Sequence, residues 1–264
     1  MKRFALLVLG SCAANLAIAG VYVEMVDRNL ATGKSSLQQK MYVQGGQGRF
    51  VDAEGRATII KNGTLYVIDD KDKSYVAFDK AAMEQLAKQL NSAMEQMKEQ
   101  LAKMPAEQRA QVEQMMAAQM PGVMDGGKKW TVDVVDTGKS DKVDGRSCRL
   151  WDVKRNDQLD EQICVVPYSS LPGKENFQVV FASFAKVFEE MAKSVPSLAG
   201  MMNTEFDAQS KVNGFPVRTR PYENGKLANE EQVMQLWREE PVPASMFEVP
   251  AGYKKKTMET MGGG

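Results

Sequence analysis

The feature that most restricts this chain is a rhythm of strand-length segments broken by turn signals. Segments 21–28 and 37–43 are rich in β-branched and aromatic residues, and 49–53, 57–60, 65–68 and 75–78 follow at short spacing. Gly45-Gly46, Glu54-Gly55 and Asn62-Gly63 sit in the gaps. Asn-Gly and Gly-Gly favour tight hairpin turns because their backbones adopt positive φ at low cost. Parallel neighbours need a crossover of a dozen or more residues, and these gaps are too short for one. Residues 21–78 therefore predict an antiparallel meander. The acidic gap Asp69-Asp70-Lys71-Asp72-Lys73 lacks the alternating ligands and glycine of a calcium loop, so it reads as a solvated turn.

The pattern then changes period. Asp79 is suited to cap a helix, and 80–103 consists largely of strong helix formers. Met83, Ala87, Leu90, Met94, Met97, Leu101 and Met104 recur at alternating steps of four and three, the seam of a helix packed against a partner. Pro105 suits a first helical position, and a second helix is expected to run to about Met120, before Pro121-Gly122. Residues 79–121 thus predict a Met-rich helical hairpin inserted between strands.

Strand alternation returns at Trp130, Val132 and Val134. Asp144-Gly145 marks a turn. Cys148 and Cys164 lie equidistant from Asn156, and a hairpin centred there would set them directly opposite. Opposed residues in a non-hydrogen-bonded antiparallel pair have Cα atoms ~4.5 Å apart, within reach of a disulfide. Residues 175–195 form a broad apolar helical face that includes Phe177, Val180, Phe181, Phe184, Val187 and Phe188. Segments 212–222 and 232–238 read as closing strands. The order contains no βαβ alternation. The expected fold is α+β: a curved antiparallel sheet of about ten strands, with the Met-rich hairpin and the second amphipathic helix on one face.

The N-terminus reads as an export signal. Lys2 and Arg3 precede an apolar stretch, and Ala17-Ile18-Ala19 forms a small-x-small cleavage site. The stretch falls short of the ~20 apolar residues of a membrane span. Residues 1–19 are expected to be a signal peptide, 20–257 a single domain and the Met/Gly segment 258–264 a disordered tail, in a periplasmic or secreted protein. Leu9-Gly10-Ser11-Cys12 offers an alternative, a lipobox that would anchor the chain through lipidated Cys12. An oxidising compartment would close the disulfide between the two remaining cysteines.

Composition removes several chemistries. The chain has 34 Lys+Arg against 34 Asp+Glu and no histidine. No basic surplus marks a nucleic-acid partner. Without histidine there is no Ser-His-Asp or Cys-His catalysis and no His-ligated metal. Two Thr-Gly-Lys-Ser strings, at 32–35 and 137–140, imitate the end of a phosphate-binding loop, but Arg28 and Asp133 occupy the positions of its first glycine. Ser183-Phe184-Ala185-Lys186 matches Ser-x-x-Lys without its partner motifs and lies in mid-helix. No catalytic residue and no cofactor is expected, and the protein is read as non-enzymatic.

Three strings carry a family resemblance: Val21-Tyr22-Val23-Glu24-Met25, the helical run Met104-Pro105-Ala106-Glu107-Gln108-Arg109-Ala110-Gln111-Val112-Glu113-Gln114-Met115-Met116, and Phe247-Glu248-Val249-Pro250-Ala251-Gly252-Tyr253-Lys254. With them the chain resembles the secreted bacterial proteins of domain-of-unknown-function family 4412. Their layout is similar to the periplasmic lipoprotein carriers of the LolA/LolB type, a curved antiparallel half-barrel closed by helices around an apolar cavity. The resemblance implies that fold and carries no functional residue.

The functional expectation is a periplasmic binding or chaperone-like protein. It would hold an apolar small molecule, an acyl chain or a hydrophobic peptide between sheet and helices, with Trp130, Trp151, Phe181, Phe184 and Phe188 as its lining. Flexible Met and Phe surfaces re-pack around varied apolar partners. Two alternatives follow from the methionines. Their thioethers suit Cu(I), giving a copper-handling protein without His or Cys ligands, and an exposed hairpin would suit an envelope structural protein acting through a protein partner.

Overall fold

The computed structural model describes residues 19–106, 108–112, 131–194, 211–223 and 225–257. The first meander is β1 (Gly20–Asn29), β2 (Ser35–Gln44), β3 (Gln47–Asp52), β4 (Ala57–Lys61), β5 (Thr64–Asp69) and β6 (Ser74–Phe78), followed by helix α1 (Lys80–Lys103). The second begins with β7 (Val132–Val143), β8 (Arg146–Arg155) and β9 (Gln158–Pro167). After helix α2 (Lys174–Ser194) come β10 (Gly214–Glu223), β11 (Lys226–Leu227), β12 (Glu230–Glu240) and β13 (Lys254–Lys255). The strands form one open, curved sheet of 13 strands rather than about ten, in the order β13-β6-β5-β4-β3-β2-β1-β12-β10-β9-β8-β7, with β11 on β10. All pairings are antiparallel except that of β13 with β6.

Turn chemistry sets the hairpin registers. Asn62-Gly63, Asp144-Gly145 and Asn156-Asp157 all hold positive φ at both residues, the backbone of a tight hairpin turn whose twist matches its strands. The β8–β9 turn is therefore Asn156-Asp157, not a loop centred on Asn156. A further register shift at Val153/Lys154 sets Cys164 opposite Leu150. Cys148 and Cys164 do bond, diagonally across the hairpin, with Cα atoms 5.3 Å apart. A regular diagonal pair lies ~7–8 Å apart, so the local twist closes this one.

The two meanders meet through β1 and β12. α1 follows β6 on one side of the sheet, and the chain re-enters the sheet with β7 at its far edge. The helical segment is thus the first part of the link between opposite edges of the sheet. Asp79 caps α1, its side chain accepting from Ala82 N at 2.9 Å. Met83 and Leu101, two members of the predicted seam, are buried, and α1 packs on α2 and β6. Residues 106 and 108–112 continue as helix, whereas 113–121 of the expected hairpin, the signal segment 1–18 and the tail 258–264 lie outside the described residues.

α2 packs across β1–β4. Asn176, buried near its start, donates through Nδ2 to Ala19 O and accepts from Gly45 N at Oδ1, both at 3.0 Å. Gly48 makes the close approach feasible: a Cβ there would meet Val180 Cγ1 at 3.0 Å. Gly173, with φ +64°, brings the helix entry against Val21, whose Cγ2 would lie 2.4 Å from a Cβ. One large core runs from Val21, Val23 and Val43 beneath α2 to Val233 and the disulfide. The opposite face of the first meander also packs a core, Ala57, Ile59 and Ile68 under Val242 and Phe247 of the C-terminal segment.

Candidate functional site

Phe177 is fully buried and lies 4.6 Å from Trp237 in a stacked pair, with Phe215 edge-on to both. The Trp237 indole N–H donates to Pro172 O at 2.9 Å. This trio anchors α2 to the junction of the two meanders. Along the helix, Phe181 tilts against Phe177, and Phe184 meets Phe50 of β3 edge-on at 5.2 Å. Phe50, Phe181, Phe184, Leu150 and Tyr168 all pack against the large core yet remain only half-buried. Burial pushes the Tyr168 phenol up to about 12.

The expected lining residues therefore divide. Phe181 and Phe184 share this apolar margin. Trp151 does not: it stands opposite Ile163, and strand alternation turns it away from Leu150 and the disulfide. Trp130 and the side chain of Phe188 lie outside the described residues. A groove of about 220 Å³ lies elsewhere, where Asp79, Gln85 and Leu86 meet Val76, Lys255 and Lys256. Among the described residues no group of three His, Cys, Asp or Glu is placed to hold a metal ion.

A charged cluster adjoins the other end of the core. Two cross-strand rows share one face: Leu37, Val26, Val233, Arg218, Cys164 and Leu150, and beside it Ser35, Arg28, Glu231 and Arg220. Glu231 is buried and draws three guanidinium groups, with Arg220 Nε at 2.7 Å, Arg28 Nη1 at 3.7 Å and Arg218 Nε at 3.8 Å. Arg218, itself buried, donates to Asp141 Oδ2 of β7 at 2.8 Å, and Arg28 donates to Asp144 Oδ2 of the β7–β8 turn at 2.8 Å. The Arg218 guanidinium holds the Asp141 carboxyl below its ordinary range. These contacts reach from β10 and β1 over the intervening strands, so this face is concave and the second meander is rolled onto it.

Sequence reasoning missed this cluster. The signal was phase rather than composition. Arg28 stands two residues from buried Val26, and Glu231 two from buried Val233, so both occupy inward positions of their strands.

The model of the family described as Domain of unknown function (DUF4412) matches residues 94–253, a segment that holds the disulfide, α2, Arg218, Arg220 and Glu231. The chain belongs to this family. Among solved structures, this DUF4412 chain is similar to an uncharacterized conserved protein from Thermus thermophilus, at 7% identity and TM-score 0.43 over 90% of each chain. It is also similar to PNGF-II, at 9% identity and TM-score 0.36, covering 92% of this chain and 32% of that one. Among curated proteins there is no match to the sequence. No helix among the described residues is long and apolar enough to cross a membrane.

Proposed function

We propose that this DUF4412 protein is a non-enzymatic carrier or chaperone-like protein of the periplasm or extracellular space, holding an apolar ligand between its curved sheet and α2 in the manner of a LolA-type half-barrel. The observation that carries this reading is the half-buried apolar margin of Phe50, Phe181 and Phe184 beside a fully buried core. Burying an aromatic or aliphatic side chain is worth ~1.5–3 kcal/mol, so such a margin gains free energy when an acyl chain or apolar peptide covers it. The Cys148–Cys164 disulfide accords with an oxidising compartment. The deciding experiment is native mass spectrometry of protein isolated from the periplasm of its own host, together with titration of the delipidated protein with anthroyloxy-labelled palmitate. A co-purifying lipid and saturable fluorescence enhancement are expected. Absence of both rejects the carrier reading.

A further inference from the structure

The charged cluster leaves guanidinium donors unmatched. Each guanidinium carries five N–H donors and no acceptor. Of the acceptors, Glu231 Oε2 takes Arg220 while Oε1 faces Arg28. Asp141 Oδ2 takes Arg218, and its Oδ1 takes the backbone N–H of Lys142 at 2.7 Å. Asp144 Oδ2 takes Arg28. Against this, Arg220 engages Glu231 through Nε, which leaves its terminal nitrogens uncommitted among the described residues, and the buried Nε of Arg218 hydrogen-bonds no acceptor among them. Buried polar groups in folded proteins are almost always paired. Buried Arg218 Nε is therefore a donor short of an acceptor, and the partly exposed Arg220 has donors to spare.

Its position adds a second constraint. Arg28 and Arg220 are each 29% exposed, while Arg218 and Glu231 lie inside. Leu37, directly opposite Val26 and on the same face as Arg28, is 38% exposed. Guanidinium donors and open apolar surface thus lie side by side. Asp144, the outermost acid, is 41% exposed, so an incoming oxyanion can replace it on Arg28 at no change in the cluster's charge balance.

We infer that the ligand is an anionic amphiphile, an apolar chain bearing a carboxylate or phosphate head group, and that Arg28 and Arg220 receive the head group. This inference rests on the carrier reading above. Charge-assisted contacts from a planar guanidinium to an oxyanion are short and directional, and they discriminate by head group.

The test compares anthroyloxy-labelled palmitate with its methyl ester on the wild-type protein and on the Arg28→Gln/Arg220→Gln variant. The acid is expected to bind roughly tenfold or more tightly than the ester, the size of a charged hydrogen bond. That preference should shrink as salt rises and vanish in the double variant, with ester binding held within about twofold. Displacement of the probe by unlabelled palmitate against lysophosphatidate separates carboxylate from phosphate as the preferred head. Equal binding of acid and ester by the wild type overturns the head-group assignment and leaves the carrier reading standing, and this needs no folded variant. Displacement by inorganic phosphate alone at the same concentrations overturns the amphiphile. Binding of neither probe overturns both readings.

Discussion

Arg218 of β10 and Asp141 of β7 are joined at 2.8 Å although β9 and β8 lie between their strands in the sheet. In a flat sheet three strand spacings would hold their backbones ~14 Å apart, with both side chains standing off the sheet. Their contact, with that of Arg28 and Asp144 at 2.8 Å, measures how tightly the second meander is rolled. The sheet stays open at its far end, but this half closes over its own charged cluster.

This closure should be acid-sensitive. Asp141 is held below its ordinary value of 3.8, first by the hydrogen bond from Arg218 and then by that from the Lys142 backbone. A carboxyl with a lower pKa folded than unfolded contributes stability above the unfolded value and loses it as pH falls through the folded one. Asp141→Asn is expected to lower the urea midpoint at neutral pH, and its difference from the wild type should shrink as pH falls below 3.8. A difference between the two that persists unchanged in acid would contradict the assignment.

The disulfide should act on the same closure. It links strands 16 residues apart in sequence beside Arg218 and Asp141. The chain-entropy model gives ~3 kcal/mol for a loop of this length. Cys148→Ser, or reduction of the wild type, should lower stability by about that amount in denaturant titrations. Thiol labelling of the unreduced, denatured protein should find neither Cys148 nor Cys164 free.

Phe177 and Phe184 stand on one helix but should respond differently. Phe177 is fully buried against Trp237 and Phe215, so Phe177→Ala is expected to cost ~3–5 kcal/mol. Phe184 is half-buried against Phe50, so Phe184→Ala should cost only about 1–2 kcal/mol while weakening palmitate binding. Equal stability losses, with unchanged binding in Phe184→Ala, would make Phe184 an ordinary core residue.

α1 should prove integral rather than peripheral. Leu101 is 5% exposed, and the helix packs on α2 and β6. Leu101→Ala is expected to cost ~2–5 kcal/mol by the usual transfer and cavity terms. A thermal midpoint unchanged from the wild type would show a helix that only decorates the sheet.

The β8–β9 turn offers a gain. Asp157 holds φ 65°, a conformation disfavoured for residues with a Cβ. Asp157→Gly should raise stability by a few tenths to ~1 kcal/mol, measurable as a higher urea midpoint.

Local chemistry in the sequence determined the hairpins, the helix start at Asp79, the start of α2 and the pairing of Cys148 with Cys164, because turn propensity, capping and periodicity are properties of neighbouring residues. It also pointed to the family. The diagonal geometry of the disulfide escaped it, since a single-residue register shift at Val153/Lys154 moves every partner beyond it. Only the tertiary structure decided that β1 pairs with β12, that α1 leads from one edge of the sheet towards the other, that Trp151 faces away from Phe181 and Phe184, and that residues 242–253 cover the sheet's second face. The same holds for the cluster around Glu231. Its members are far apart in sequence and read singly as solvated charges. Pairing of β1, β12 and β10 places Arg28, Arg218 and Arg220 around one buried carboxylate, and sheet curvature brings Asp141 and Asp144 to them, a long-range arrangement that no local period encodes.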